Sequence, residues 1–179
     1  RGLGDVYKRQ YFTYVAAFGA LTDVIYNTPQ EAKNALGYTA YALNSLSELP
    51  NSLNAKIKVK IESDEYCDEG TYMYGSVSNC YSVAGVHTPL LGNVSLNDGL
   101  FEVILIKSPK NITELLEITS SLLSGEISPS ARSLFKLFST RKVTFTFQEE
   151  TEWTLDGEFG GKLTKAAVSV RKQKLKLLR

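Results

Sequence analysis

Two short stretches of this chain set acidic residues on tight turns. One is Leu155-Asp156-Gly157-Glu158-Phe159 and the other is Leu96-Asn97-Asp98-Gly99-Leu100-Phe101. An Asp-Gly pair in strand-rich sequence is first of all the signature of a two-residue hairpin. A carboxylate in such a turn is held by backbone geometry, which suits a metal ligand or a proton acceptor. If the segment from Asp156 to Glu158 stays extended, side chains two residues apart point to one side, and the two carboxylates could share a patch. Held together, two carboxylates can divide labour: one accepts a hydroxyl proton while the other holds magnesium or orients the first. Phosphoryl transfer uses that arrangement, because its catalysis is mostly positioning and charge neutralisation. Asp98 could bind Mg²⁺ together with backbone carbonyls of its neighbours, since hard oxygen ligands are what that ion takes. On the residues alone each turn also reads as structure and nothing more, and both readings stay open.

The elements that must position these turns come from a chain of 179 residues, long enough for one domain with a proper core. A hydrophobic fraction of 43% and a net charge of +1 describe a globular chain. The charge balance supplies no basic face for nucleic acid. No apolar run approaches the roughly 20 residues that span a bilayer, so any membrane contact is expected to be peripheral. Cys67 and Cys80 fit neither a disulfide framework nor a zinc site and are expected as free thiols of a cytoplasmic protein. Asn93-Val94-Ser95 and Asn111-Ile112-Thr113 match the glycosylation pattern by chance on this view, and the single His87 has no catalytic partner in sight. Residues 1–10 do not match the strand-rich pattern that begins at Tyr11 and resemble a translated sequencing adapter. They are set apart as an artefactual leader, with one domain expected over 11–179 and natural sequence expected upstream.

Along the chain, Tyr11 to about Ile25 reads as a strand in which Gly19 marks a bulge or a close backbone approach. Thr28-Pro29-Gln30-Glu31 opens a helix to about Leu36, and a second helix ends before Pro50. Ile57, Val59 and Ile61 alternate with lysines in a half-buried strand, and Ser63-Asp64-Glu65 turns the chain. Further strands are predicted over Thr71–Val77, Leu100–Lys107, Leu134–Phe138, Val143–Phe147, Trp153–Leu155 and Ala166–Val170, with a loop from Ser82 to Asn93. One helix interrupts them, capped by Asn111 and stopped at Gly125, with Ile112, Leu115, Leu116, Thr119, Leu122 and Leu123 on one face. The pattern predicts a mainly β fold with a few helices, an antiparallel sandwich or barrel. The basic tail Arg171–Arg179 alternates with period two. It reads as a lysine-guarded edge strand or as a segment drawn to an anionic membrane.

In order and spacing, three features resemble the C-terminal domain of the soluble bacterial diacylglycerol kinase and sphingosine kinase family. They are the run Val77-Ser78-Asn79-Cys80-Tyr81-Ser82-Val83-Ala84-Gly85, then Leu96-Asn97-Asp98-Gly99-Leu100-Phe101-Glu102-Val103, then Leu155-Asp156-Gly157-Glu158. The opening Tyr11–Gly19 run agrees as well, so the resemblance covers Tyr11 to about Val170. It implies an antiparallel β-sandwich as the second domain of a lipid kinase that uses ATP and Mg²⁺ and phosphorylates a lipid hydroxyl. Asp156 and Glu158 inherit places in the cleft where ATP and the lipid meet, Asp156 as proton acceptor or metal-linked residue and Glu158 in support. Asp98 inherits a structural magnesium site with Ser95 and Leu100 as carbonyl ligands.

Ala84 departs from the family pattern, where a glycine is usual. No glycine-rich phosphate loop occurs in these residues, so this chain alone is expected to be inactive, with ATP bound mainly by a preceding Gly-Gly-Asp-Gly-Thr domain. A lipid substrate and peripheral membrane contact are the implied partners, and a homodimer stays open. The rival reading is a non-catalytic β-sandwich that binds an apolar ligand or a partner protein, its Asp-Gly turns being only turns.

Overall fold

The computed structural model describes residues 10–20, 56–80, 82–83, 86–87 and 98–171. They form strands β1 (Val15–Gly19), β2 (Ile57–Ser63), β3 (Cys67–Ser78), β4 (Ser82–Val83), β5 (Val86–His87) and β6 (Phe101–Lys107), then helix α1 (Ile112–Ser124). After a 3-10 turn over Ala131–Ser133 come β7 (Phe135–Thr140), β8 (Lys142–Leu155) and β9 (Glu158–Ser169). The expected helices over 28–36 and 38–49, the leader up to residue 9, most of the Ser82–Asn93 loop, Ser95 and the tail beyond Arg171 lie outside the described residues.

Local sequence explains most of these elements. In β2, Val59 and Ile61 are buried while Lys58 and Lys60 are exposed, as period-two alternation requires. Ser63 closes the turn to β3, its N–H bonding the Tyr66 carbonyl at 2.9 Å. The β8 segment departs from expectation: the two predicted strands, Val143–Phe147 and Trp153–Leu155, are one strand of 14 residues. The strand runs on past Glu149 and Glu150, where its pairing with β9 shifts register between Thr146 and Thr151.

All pairings are antiparallel, and they reveal why β3 and β8 are so long. Val59 pairs with Gly70 of β3 on one side and Phe147 of β8 on the other. Phe18 of β1 pairs in the same way with Gly75 and Trp153. β6 takes the other edge of β3 and β9 the other edge of β8. The short strands β1 and β2 therefore lie end to end in one slot between β3 and β8, closing a four-strand circuit. The described strands form one seven-stranded sheet and the small β4–β5 pair, not the two stacked sheets of a sandwich. The mainly β, antiparallel character holds, with one α-helix among the described residues.

The sheet buries both faces. On one, Phe18, Phe145, Phe147 and Trp153 meet with Phe18 at 5.0 Å from both Phe147 and Trp153, edge-on or tilted as ring quadrupoles prefer. Gly75, opposite Phe18, makes room: a Cβ there would sit 2.3 Å from the Phe18 ring. Gly19 ends β1 at φ 98, where a Cβ would lie 2.2 Å from the Met73 carbonyl oxygen, the close approach the sequence predicts. The other face carries Val15, Ala17, Met73, Tyr74, Ile104 and Ile106 beneath Ile118 of α1.

Helix α1 starts where its cap predicts. Asn111 Oδ1 accepts from the Glu114 N–H at 2.9 Å, and Glu114 accepts from the Lys110 N–H at 2.7 Å, while Gly125 ends the helix at φ 72. Its packed face is rotated from the predicted one. Leu115, Ile118 and Thr119 are buried, whereas Ile112 and Leu116 stand out in solvent. Asn111→Ala should lower stability by about 1 kcal/mol, read as a lower urea midpoint at unchanged slope.

Candidate functional site

The Asp156-Gly157 pair forms the two-residue turn between β8 and β9, with φ of 51 and 92 and Leu155 paired to Glu158. Positive φ at both positions is the geometry of a type I′ hairpin, which aspartate and glycine tolerate best. The segment is therefore not extended, and the premise that places Asp156 and Glu158 side by side through strand alternation fails. Asp156 sits in the turn and Glu158 begins β9.

The Asp156 carboxylate is fully engaged. Oδ1 accepts from the N–H groups of Tyr14 at 2.8 Å and Val15 at 2.9 Å. Oδ2 accepts from the Thr13 N–H at 2.7 Å and the Thr13 hydroxyl at 3.0 Å. The Asp156 N–H in turn bonds the Val15 carbonyl at 2.7 Å. The aspartate thus clamps the chain entering β1 onto the β8–β9 hairpin. Four donors fill the lone-pair sites of one carboxylate. Its burial alone would raise the pKa, but the bonds from Thr13, Val15 and Tyr14 outweigh this and hold it below the usual carboxylate value. Such a group is a poor proton acceptor and a good fastener.

A group with a depressed folded pKa stabilises the fold above its unfolded value, about 3.9 for aspartate, and loses that contribution as pH falls through the folded value. Asp68, held low against its own burial by the hydroxyls of Tyr72 and Tyr66, acts in the same direction. The melting temperature should fall as pH drops below about 4, and Asp156→Asn should make that fall shallower.

Glu158 contrasts with its neighbour. Its side chain is exposed at the start of β9, and among the described residues no hydrogen bond or ion pair takes up its carboxylate. Phe159 and Tyr14, 64% and 48% exposed, stand on either side of the same turn. The hairpin therefore presents one engaged carboxylate and one available carboxylate.

The second turn opens β6. Asp98 Oδ1 accepts from the Leu100 N–H at 2.8 Å, and Gly99 has φ 83. Four residues after Asp98 stands Glu102, only 3% exposed, with Oε2 bonded to nothing. Burial raises its pKa first; a bond from its own backbone N–H opposes that, and the charge of Asp98 adds to the rise. Glu102 pairs with Ser78, Ser78 pairs with Val15, and the Val15 carbonyl accepts from the Asp156 N–H. Both acidic turns thus lie at one end of the sheet, three strand spacings or roughly 14 Å apart along it.

The structure does not bring Asp98 together with the Asp156–Glu158 turn as one cluster. Among the described residues no three His, Cys, Asp or Glu side chains stand close enough to hold a metal. A carboxylate such as that of Asp98 is a hard oxygen donor, which suits magnesium rather than zinc. Leu100 meets Asp98 through its N–H and not through the carbonyl of its expected role. Glu102 is the residue that sequence reasoning misses. An acid at a core position of an otherwise apolar strand is the signal that could have found it.

No protein-family model matches the chain. The diacylglycerol kinase of Bacillus subtilis (strain 168) is 32% identical over 154 residues, which are 86% of this chain and 49% of that protein. The diacylglycerol kinase of Staphylococcus aureus (strain bovine RF122 / ET3-1) is 27% identical over 156 residues, 87% of this chain and 48% of that protein. A crystal structure of a candidate diacylglycerol kinase from Bacillus anthracis str. Sterne superposes with a TM-score of 0.65 at 21% identity. That match covers 91% of this chain and 52% of the other, and it speaks for the fold.

Proposed function

We propose that this chain, a homologue of the C-terminal part of bacterial diacylglycerol kinases, supplies the lipid-handling half of an ATP-dependent lipid kinase. The chain spans about half the length of the curated relatives it matches, at 49% and 48%. The substrate in this reading is a hydroxyl of a diacylglycerol-like lipid. Glu158 accepts its proton as the hydroxyl oxygen bonds to the γ-phosphorus of ATP, and the bond from that phosphorus to the ADP oxygen breaks. Asp156 positions Glu158 by fixing the hairpin to Thr13–Val15. The observation that carries this division is the saturated Asp156 carboxylate beside an unengaged Glu158. It reverses the roles expected from the sequence, in which Asp156 is the favoured acceptor.

Asp98, with Leu100 and Ser95 carbonyls as candidates, would hold a structural Mg²⁺ that neutralises charge at this end of the sheet. A lipid substrate places the protein at a membrane surface, and no helix of the described residues is long and apolar enough to cross one.

The test is a chimera in which residues 11–179 replace the matching part of the Bacillus subtilis diacylglycerol kinase. ATP-dependent phosphorylation of dioctanoylglycerol is the expected result. A chimera that folds and binds ATP yet transfers no phosphate contradicts the proposal and favours the non-catalytic binding module.

A further inference from the structure

Four of the six buried side-chain polar atoms that lack a hydrogen-bond partner among the described residues belong to one patch of the sheet. They are the hydroxyls of Tyr74, Ser76 and Ser78 and Oε2 of Glu102, in residues no more than 3% exposed. Residues two apart on a strand share a face, so the three hydroxyls form a row along β3. Glu102 of β6 is paired with Ser78 and carries its carboxyl beside the end of that row. Burial pushes the Tyr74 hydroxyl up to about 12, and Ser76 stands close enough to pull against that rise. Even so, neither oxygen completes a hydrogen bond. A buried polar atom in this state has given up water without replacing it, and each such group asks for a partner.

The surroundings decide what kind of partner fits. Ala17 and Val15 of β1 flank Ser76 and Ser78 on one side, Ile104 of β6 lies on the other, and Ile118 of α1 packs onto the same face. The row is therefore a line of uncharged donors in an apolar frame. It holds no Lys, Arg or His, and none pairs with Glu102 among the described residues, so a phosphate finds no counter-charge there. Burial moves the Glu102 carboxyl towards its protonated, donating form; its own N–H opposes this and the charge of Asp98 adds to it. Ester carbonyls meet these conditions, because they accept hydrogen bonds, carry no charge and sit on molecules that are otherwise apolar. Val15, next to Ser78, gives its N–H to Asp156 at 2.9 Å, so the row ends beside the hairpin that carries Glu158.

We propose that Tyr74, Ser76, Ser78 and Glu102 form a subsite for the ester carbonyls of a neutral acylglycerol, their hydroxyls donating to the carbonyl oxygens. This rests on the reading of the chain as the lipid-handling half of a kinase and says which lipid it takes. An ester-bearing glyceride is favoured over an ether lipid or a sphingoid amine. The four residues position the lipid and take no part in the transfer itself.

The experiment measures binding to the 179-residue chain by calorimetry, with no phosphate transfer involved. The probes are dioctanoylglycerol, its dioctyl ether analogue, which lacks both carbonyls, and sphingosine. Wild type should bind the ester at least about tenfold more tightly than the ether, because the ether leaves the hydroxyls unpaired. In the double variant Ser76→Ala with Ser78→Ala that preference should shrink to within about threefold. The melting temperature of this variant without lipid should stay level or rise, since two unpaired hydroxyls leave the interior. A lower melting temperature would show that the hydroxyls hold the fold, and the subsite would fall. Equal affinity of wild type for ester and ether, or binding of neither, overturns it as well. So does tighter binding of sphingosine that Glu102→Gln abolishes, which would make the patch an amine site. These failures leave the kinase reading to the chimera, and a failed chimera in turn leaves an ester preference standing.

Discussion

Glu158→Gln in the chimeric kinase lowers the rate of dioctanoylglycerol phosphorylation by about 100- to 10,000-fold, the range that loss of a general base removes. The substitution keeps the size and shape of the side chain and deletes only its ability to take a proton. Because the Glu158 carboxylate is exposed and unengaged among the described residues, nothing in the fold should notice. The melting curve is therefore expected to overlay the parent within about 0.5 kcal/mol, the usual range for a surface change. Loss of turnover without loss of stability is the signature of a group that meets substrate. A rate within about threefold of the parent would remove Glu158 from the chemistry.

Asp156→Ala does the opposite. It deletes the acceptor for three backbone N–H groups and one hydroxyl, and it places a residue with no αL preference at φ 51. Charge-assisted bonds are worth more than neutral ones, yet this turn is exposed and water replaces part of what is lost. The chain should be destabilised by about 2–3 kcal/mol, including about 1 kcal/mol of backbone strain. The damage should concentrate where β1 enters the sheet, seen as faster amide exchange at Tyr14 and Val15. Asn at the same position tolerates αL geometry and keeps one acceptor, so it should cost less than Ala. Unchanged stability of Asp156→Ala in denaturant would show that the clamp does not form.

The range of each interaction decides whether the sequence reveals it or hides it. The Asn111 cap, the Ser63 turn, the alternation of β2 and the Asp156-Gly157 hairpin are written in a few adjacent residues, and all are legible there. The clamp joins Thr13 to Asp156 across 143 positions, and no local pattern announces it. The tandem placement of β1 and β2 between β3 and β8 is equally non-local. It turns an expected pair of sheets into one, and it joins two expected strands into the single long strand β8. The cap locates helix α1, but its packed face depends on the sheet beneath. Ile118 faces that sheet, while Ile112 and Leu116 do not. Both carboxylates of the hairpin stand out in the sequence. That they share one patch through strand alternation rests on an extended geometry that the turn does not have.

Both acidic turns stand at one end of the sheet because β6, β3, β1 and β8 end in register there. The division of labour at the hairpin is tested most directly by one comparison. The phosphate-transfer rate of the Asp156→Asn chimera is measured and divided by its folded fraction under the same conditions. Per folded molecule the rate should stay within about tenfold of the parent, since Asp156 positions and Glu158 reacts. A loss as deep as that of Glu158→Gln in fully folded protein would contradict this and return Asp156 to the role of proton acceptor.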